Sequence, residues 1–310
     1  MIISASRRTD IPALYSQWFM NRLREGEMLV PNPYNRRKVS RIRLSPEVVD
    51  GIVFWTKNPE PLLPCLRELD AMGYRYCFQY TITDYGKDLE PGVPDVEEAM
   101  ATFLLLSQRL GKERMNWRFD PLLLSEKYTI SYHLEHFEMM CQWLHKAADR
   151  CVISFVDEYR GSACRELEPE EIFELAEGIG RIAGKYDLPV YTCAEEADLT
   201  RYGIRQGACI DREQLEKLAG YRLDLKKDKG QRKACGCVES IDVGMYDTCI
   251  NGCRYCYAVS GQEGADRKYE QHDHNSPLLI GHLRGDEILM EREVTSARDD
   301  QLSLFDMAFM

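Results

Sequence analysis

Cys249, Cys253 and Cys256 stand in the order Cys249-Ile-Asn-Gly-Cys253-Arg-Tyr-Cys256. Three thiolates in one short loop can hold three corners of a cubane iron-sulfur cluster and leave the fourth iron open to a substrate or cofactor. A structural zinc knuckle is the rival reading, because cysteine spacing alone does not choose the metal. Zinc would recruit a fourth protein ligand, and Cys235-Gly-Cys237 lies just upstream.

Four further cysteines extend the metal chemistry. Cys193 and Cys209 follow the last expected strand of the body, and with Cys235 and Cys237 they could complete a second iron-sulfur cluster if the fold gathers them. The alternatives are that Cys235 or Cys237 joins the triplet, or that Cys193 and Cys209 are packed thiols. Cys65, Cys77, Cys141 and Cys151 sit in apolar segments and read as small core residues.

The elements that must position these groups follow from hydrophobic patterning. Short apolar runs at 1–6, 52–56, 74–83, 115–119, 151–156 and 190–194 alternate with amphipathic stretches at 12–25, 60–72, 95–110, 130–148 and 168–185. That rhythm predicts βα units around a parallel sheet, and the expected fold is an α/β barrel of roughly six to seven strands, partial and TIM-like. Ser45-Pro46-Glu47 and Glu168-Pro169-Glu170 read as helix starts, and 86–94 as an ordered surface loop. Polar residues at the carboxyl ends of parallel strands converge on one mouth. Lys57, Arg118, Asp120 and Glu195 are therefore the candidate catalytic or positioning groups, with Thr56 beside them; an ion-pair network around the mouth is the plainer alternative.

Composition sets the limits. The chain has 310 residues, a formal net charge of -11 and twelve cysteines. No apolar run is long enough to cross a bilayer, so a cytoplasmic protein without a membrane partner is expected, and reduced thiols suit metal better than disulfides. The acidic balance opposes nonspecific binding to phosphate backbones. Arg36, Arg37, Lys38, Arg41 and Arg43 form a local basic run that reads either as a nucleic-acid patch or as a solvated loop entering a strand. Residues 1–230 are expected to form the barrel body, and 231–310 a cysteine-rich segment and tail.

The triplet with its flanking Tyr255 resembles the cluster loop of the radical S-adenosylmethionine (SAM) superfamily, and the text from Met245 to Ala258 most resembles the subgroup related to spore photoproduct lyase. That resemblance implies a [4Fe-4S] cluster on Cys249, Cys253 and Cys256, SAM on the open iron, Tyr255 near adenine, a 5'-deoxyadenosyl radical, and an electron donor such as flavodoxin or ferredoxin. Superfamily members place the triplet after the first barrel strand, whereas here the βα units lie upstream. A circular permutation, with 241–244 beside 1–6, is the preferred explanation over a separate cluster module. No Gly-Gly-Glu element is found, so the transfer of cofactor-binding residues stops at the triplet and Tyr255.

Over most of its length the chain resembles the family called domain of unknown function 1848, through Phe54-Trp-Thr-Lys-Asn-Pro59, Trp117-Arg-Phe-Asp-Pro121, Cys193-Ala-Glu195 and Cys209-Ile-Asp211. The terminal Gln301-Leu302-Ser303-Leu304-Phe305 resembles the peptide with which repair proteins dock on the DNA sliding clamp. A genuine clamp peptide would favour DNA or nucleotides as substrate, in repair. The competing functions are a metal-stabilised adaptor for clamp or nucleic acid without catalysis, and a radical SAM enzyme acting on a metabolite or peptide.

Overall fold

The computed structural model describes residues 1–158 and 164–299. The proposed clamp peptide Gln301–Phe305 lies outside the described residues. Strand β1 (Ile2–Ala5) enters the core at once and is followed by α1 (Ile11–Leu14) and α2 (Ser16–Glu25). Asp10 starts α1 by accepting a hydrogen bond from Ala13 N at 3.0 Å. The expected single helix over 12–25 is broken at Tyr15.

Strands β2 (Glu27–Pro31) and β3 (Lys38–Arg43) form an antiparallel pair. A regular alternation follows: β4 (Gly51–Thr56), α3 (Leu66–Ala71), β5 (Tyr76–Thr81), α4 (Val96–Leu110), β6 (Met115–Arg118), α5 (Ile130–Leu144), β7 (Arg150–Ile153), α6 (Pro169–Lys185) and β8 (Val190–Thr192). The chain continues through β9 (Ile204–Gln206), α7 (Arg212–Ala219), β10 (Ile241–Asp242), α8 (Gln262–Tyr269) and β11 (Ile288–Arg292). Glu168-Pro169-Glu170 does open α6, with a capping box between Glu168 and Glu171. Ser45-Pro46-Glu47 does not open a helix; it forms a turn closed by Val49 N on Ser45 O at 3.1 Å.

Eight strands form one parallel sheet in the order β10-β1-β4-β5-β6-β7-β8-β9. Ile241 lies opposite Ile3 and Asp242 opposite Ser4, so the strand leading into the triplet does run beside the amino-terminal strand. The count exceeds the expected six to seven, and the sheet is open rather than closed into a barrel: β9 and β10 are its edges. These edges are three and two residues long, and no ladder joins them. Non-strand backbone fills the gap instead, with Val238 N donating to Ile210 O at 3.1 Å and Gln206 Nε2 to Ala234 O at 3.0 Å.

The period of two along each strand divides the side chains between two cores. Ile3, Phe54, Phe78, Trp117 and Ile153 face Phe19, Phe103, Phe137 and Leu175 of the helices. Ile2, Val53, Cys77 and Val152 face the other way and pack on Ile210, Leu215, Leu225, Cys235 and Cys237. Each such side chain contributes roughly 1.5–3 kcal/mol on burial. The same alternation aims Trp55, Gln79 and Arg118 at the second core, where the cysteine-bearing segment lies.

A small sheet, β11-β3-β2, was not expected from the sequence. The basic run enters it as a loop leading into a strand, with Arg36 and Arg37 in the turn and Lys38, Arg41 and Arg43 on β3. Arg37 pairs with Asp286 at 3.1 Å and Arg41 with Glu291 at 3.0 Å, so part of that positive charge is spent on acids.

His133 on α5 links the fold to pH. It is fully buried, with Nε2 donating to Leu123 O at 2.7 Å and Nδ1 without a partner, and burial pushes its pKa down to about 4. Because the unfolded imidazole titrates near 6.5, the unfolded chain binds the extra proton between those values. The His133 contribution to stability should be complete above pH 6.5 and fall by about 3 kcal/mol as pH drops toward 4, against the opposite trend of the raised carboxyls Asp10 and Glu195. Urea unfolding at several pH values checks this, and the His133→Phe chain should lose that part of the slope.

Candidate functional site

The triplet loop follows β10 and lies over the carboxyl ends of β1, β4 and β5. Two buried carboxylates tie it there. Asp10 accepts from Lys57 N at 2.7 Å and from Asn251 Nδ2 at 3.3 Å. Glu90 accepts from the Tyr255 hydroxyl, from Thr83 Oγ1 at 2.9 Å and from Lys57 Nζ at 2.8 Å. Backbone bonds complete the attachment: Gly92 N to Asn251 O at 2.9 Å and Arg254 N to Leu89 O at 3.0 Å. Gly252 adopts φ 70°, and a Cβ there would come within 2.9 Å of Pro91, so this close approach depends on glycine.

The loop 86–94 is therefore not simply surface, because its Glu90 is only 3% exposed. Burial pushes Asp10 up to about 6 against the hydrogen bonds it receives. Burial works against the Lys57 ammonium, and Glu90, Cys253 and Asp120 together more than offset it, Glu90 foremost. Cys249, Cys253 and Cys256 are each half-buried and lie within electrostatic reach of one another, with Lys57 acting on Cys253. Burial raises all three thiols, Cys249 to about 12, so the protein alone keeps them protonated and a metal would have to displace those protons.

A second polar group lies beside the first on the inward face of the sheet. Arg118 Nε donates to Asp120 Oδ1 at 2.9 Å, and its Nη1 reaches Cys209 Sγ at 2.8 Å and Gln79 Oε1 at 3.4 Å. The Trp55 ring is flanked by two guanidinium groups, Arg7 at 5.0 Å and Arg118 at 5.1 Å from its centre. Ser154 Oγ adds a bond to Asp120 at 3.1 Å.

Beyond Arg118 the four remaining candidate cysteines meet. Cys209 Sγ lies 3.0 Å from Cys193 Sγ, and Cys237 is in contact with both Cys209 and Cys235. Ile210 N donates to Cys237 Sγ at 3.4 Å and Cys237 N to Cys235 Sγ at 3.5 Å. Among the described residues, no three or more Cys, His, Asp or Glu side chains form a ready-made ligand shell; these thiols pack sulfur against sulfur.

Lys57, Arg118 and Asp120 thus share the strand-end region, with Asp120 contributing to the field at Lys57. Glu195 does not join them through a hydrogen bond: it accepts from Phe155 N at 3.0 Å, and burial raises it to about 7. Thr56 is buried and accepts from Asn58 N at 2.9 Å, beside Asp10. Sequence reasoning did not select Glu90, Asp10, Arg7 or Gln79. Arg7 and Asp10 follow β1 and Gln79 lies near the end of β5, where polar residues can be expected to converge, whereas nothing in a loop rich in proline and glycine marks Glu90. A cleft of about 710 Å³ between β3 and residues 268–287 is lined by Arg36, Arg37, Lys268 and His272, and no expected catalytic or metal residue reaches it.

Comparison with solved structures gives a triazine hydrolase variant at 12% identity and a TM-score of 0.33, covering 69% of this chain and 54% of that one. The chain thus spans about half the length of that hydrolase. A Bacteroides thetaiotaomicron protein assigned as an α-L-fucosidase matches at 11% identity and a TM-score of 0.24, covering 72% of this chain and 83% of that one. No curated protein matches the sequence. The family model described as domain of unknown function 1848 matches residues 2–258, a span that includes β1 to β10, both cysteine groups and the strand-end residues, and the chain belongs to that family.

Proposed function

We propose that this chain is a radical SAM enzyme whose [4Fe-4S] cluster is held by Cys249, Cys253 and Cys256. The observation that carries the reading is the seating of a C-x3-C-x2-C loop on the carboxyl ends of a parallel sheet, fastened by the buried Asp10 and Glu90. The donor set fits: three thiols share one loop, no fourth cysteine belongs to it, and Lys57 supplies a cation close to Cys253. When bound, such a cluster and SAM supply one-electron cleavage of the sulfonium to a 5'-deoxyadenosyl radical.

The chain's own residues bind, orient and exclude water. Tyr255 is 8% exposed with its hydroxyl committed to Glu90, so it serves as a rigid wall beside the loop. Lys57 is likewise committed to Glu90 and Thr83 and holds the loop rather than a substrate. Arg118 and Asp120 form the polar floor, with Thr56 close to Asp10. Glu195 is suited to proton exchange near neutral pH, because burial has already raised it.

DNA or a nucleotide is the substrate class favoured by the likeness to the photoproduct lyase group and by the terminal Gln301–Phe305 peptide. The ion pairs of Arg37 and Arg41 weigh against a broad phosphate-binding face and toward a small molecule or a tethered encounter. Anaerobic reconstitution with iron and sulfide, followed by reductant and SAM, tests the central reading. The expected product is 5'-deoxyadenosine. A colourless chain that holds only zinc and leaves SAM intact would favour the noncatalytic adaptor.

A further inference from the structure

We infer that Cys193, Cys209, Cys235 and Cys237 bind one tetrahedral metal ion of the zinc class, a second centre that staples the open edge of the sheet. This site is separate from the triplet and does not depend on the reading proposed for it. Its ligands come from three places: the residue after β8, the segment after β9, and the segment before β10. Those segments are the backbone that fills the gap between the edge strands β9 and β10.

The close approach of Cys193 and Cys209, at 3.0 Å, lies nearer the ligand spacing of a single ion than that of a cluster. A tetrahedral ion with metal–sulfur bonds of about 2.3 Å sets its ligands about 3.8 Å apart, whereas a cluster places each sulfur on a different iron and spreads them wider. Here Cys193 and Cys209 are 3.0 Å apart, with Cys237 touching Cys209 and Cys235. Modest side-chain rotation outward from that packing opens a central position. Gly236 permits the approach, since a Cβ there would fall 2.8 Å from Gly207 O.

Charge and donors around the sulfurs agree. A divalent ion on four thiolates carries a net charge of -2, and its binding releases the remaining thiol protons to solvent. Arg118 donates to Cys209 Sγ at 2.8 Å. Arg7 reaches Cys237, and its Nη2 is buried with no hydrogen-bond partner. Arg118 is shared between Asp120 and Cys209, whereas Arg7 turns to Cys237 with one nitrogen unpaired, and a dianionic centre would give both guanidinium groups a counter-charge. The amides of Ile210 and Cys237 add N–H···S bonds of the kind that orient metal thiolates.

The test uses the full chain carrying Cys249→Ser, Cys253→Ser and Cys256→Ser, stripped with chelator and titrated with Co²⁺ alone. Uptake of one cobalt per chain, with the ligand-field and sulfur-to-cobalt absorption of a tetrahedral tetrathiolate and displacement by Zn²⁺, is expected. Adding Cys235→Ser and Cys237→Ser should remove that spectrum. X-ray absorption of zinc in the unmodified, unreconstituted chain provides a measurement that needs no variant, and should show four sulfurs at about 2.3 Å. No cobalt uptake by the triplet-free chain, a spectrum of oxygen and nitrogen ligands, or iron retained there with acid-labile sulfide would each overturn the proposal.

Discussion

Cys253→Ala is expected to reduce 5'-deoxyadenosine formation to the uncatalysed background and to leave iron uptake at the triplet near zero. Cys253 is the middle ligand of the loop, and two remaining thiols cannot hold a three-point attachment. Cys77, Cys141 and Cys151 are buried in the body, and Cys193, Cys209, Cys235 and Cys237 are grouped around Arg118. The substitution should cost the fold little, because Cys253 is only half-buried and the loop is anchored through Asn251 and Tyr255 on either side. Iron and sulfide per chain, the yield of 5'-deoxyadenosine and a denaturant midpoint measured together check the prediction. Full SAM cleavage by a well-folded Cys253→Ala chain would remove the triplet from the mechanism.

The parallel sheet was legible because its strands are buried on both faces and read as short apolar runs such as Ile52-Val53-Phe54 and Cys151-Val152-Ile153. The placement of β10 beside β1 could be anticipated for a related reason: Ile241 sits in a short apolar stretch just before the triplet and needs a neighbour. The small sheet was not legible. β3 is Lys-Val-Ser-Arg-Ile-Arg, in which alternating arginines look like a solvated patch, and its partner β11 lies some 250 residues away in sequence. Closure was overestimated because sequence rhythm counts strands but does not reveal which of them face each other across the ends of the sheet.

The candidate site divides in the same way. Lys57, Arg118, Asp120 and the cysteines are chemically conspicuous and occur at strand ends or in tight spacings. Glu90 is one acid among many in a chain of net charge -11, and only tertiary contact separates it from its solvated neighbours. Pairing decides its role. A carboxylate becomes structural when an amine and two hydroxyls are brought to it from distant parts of the chain, and Lys57, Thr83 and Tyr255 are such partners.

Glu90→Leu should therefore destabilise the fold by about 3–5 kcal/mol, the usual penalty for leaving one member of a buried ion pair behind. The Lys57 side chain is 14% exposed and that of Glu90 4%, so water does not readily replace the lost carboxylate. The Thr83 and Tyr255 hydroxyls lose their acceptor at the same time. Lys57→Met alone should also destabilise, because it strands the Glu90 charge. The double variant Lys57→Met with Glu90→Leu should recover much of either loss, since no buried charge remains and the two apolar side chains can pack together. Urea unfolding of the four chains gives the coupling energy directly. Strictly additive losses would show that Lys57 and Glu90 are not a functional pair. Iron retention should follow the same order, lower in Glu90→Leu than in the double variant, because the 86–94 loop supplies backbone contacts to Asn251 and Arg254 and can hold the triplet only while it remains seated.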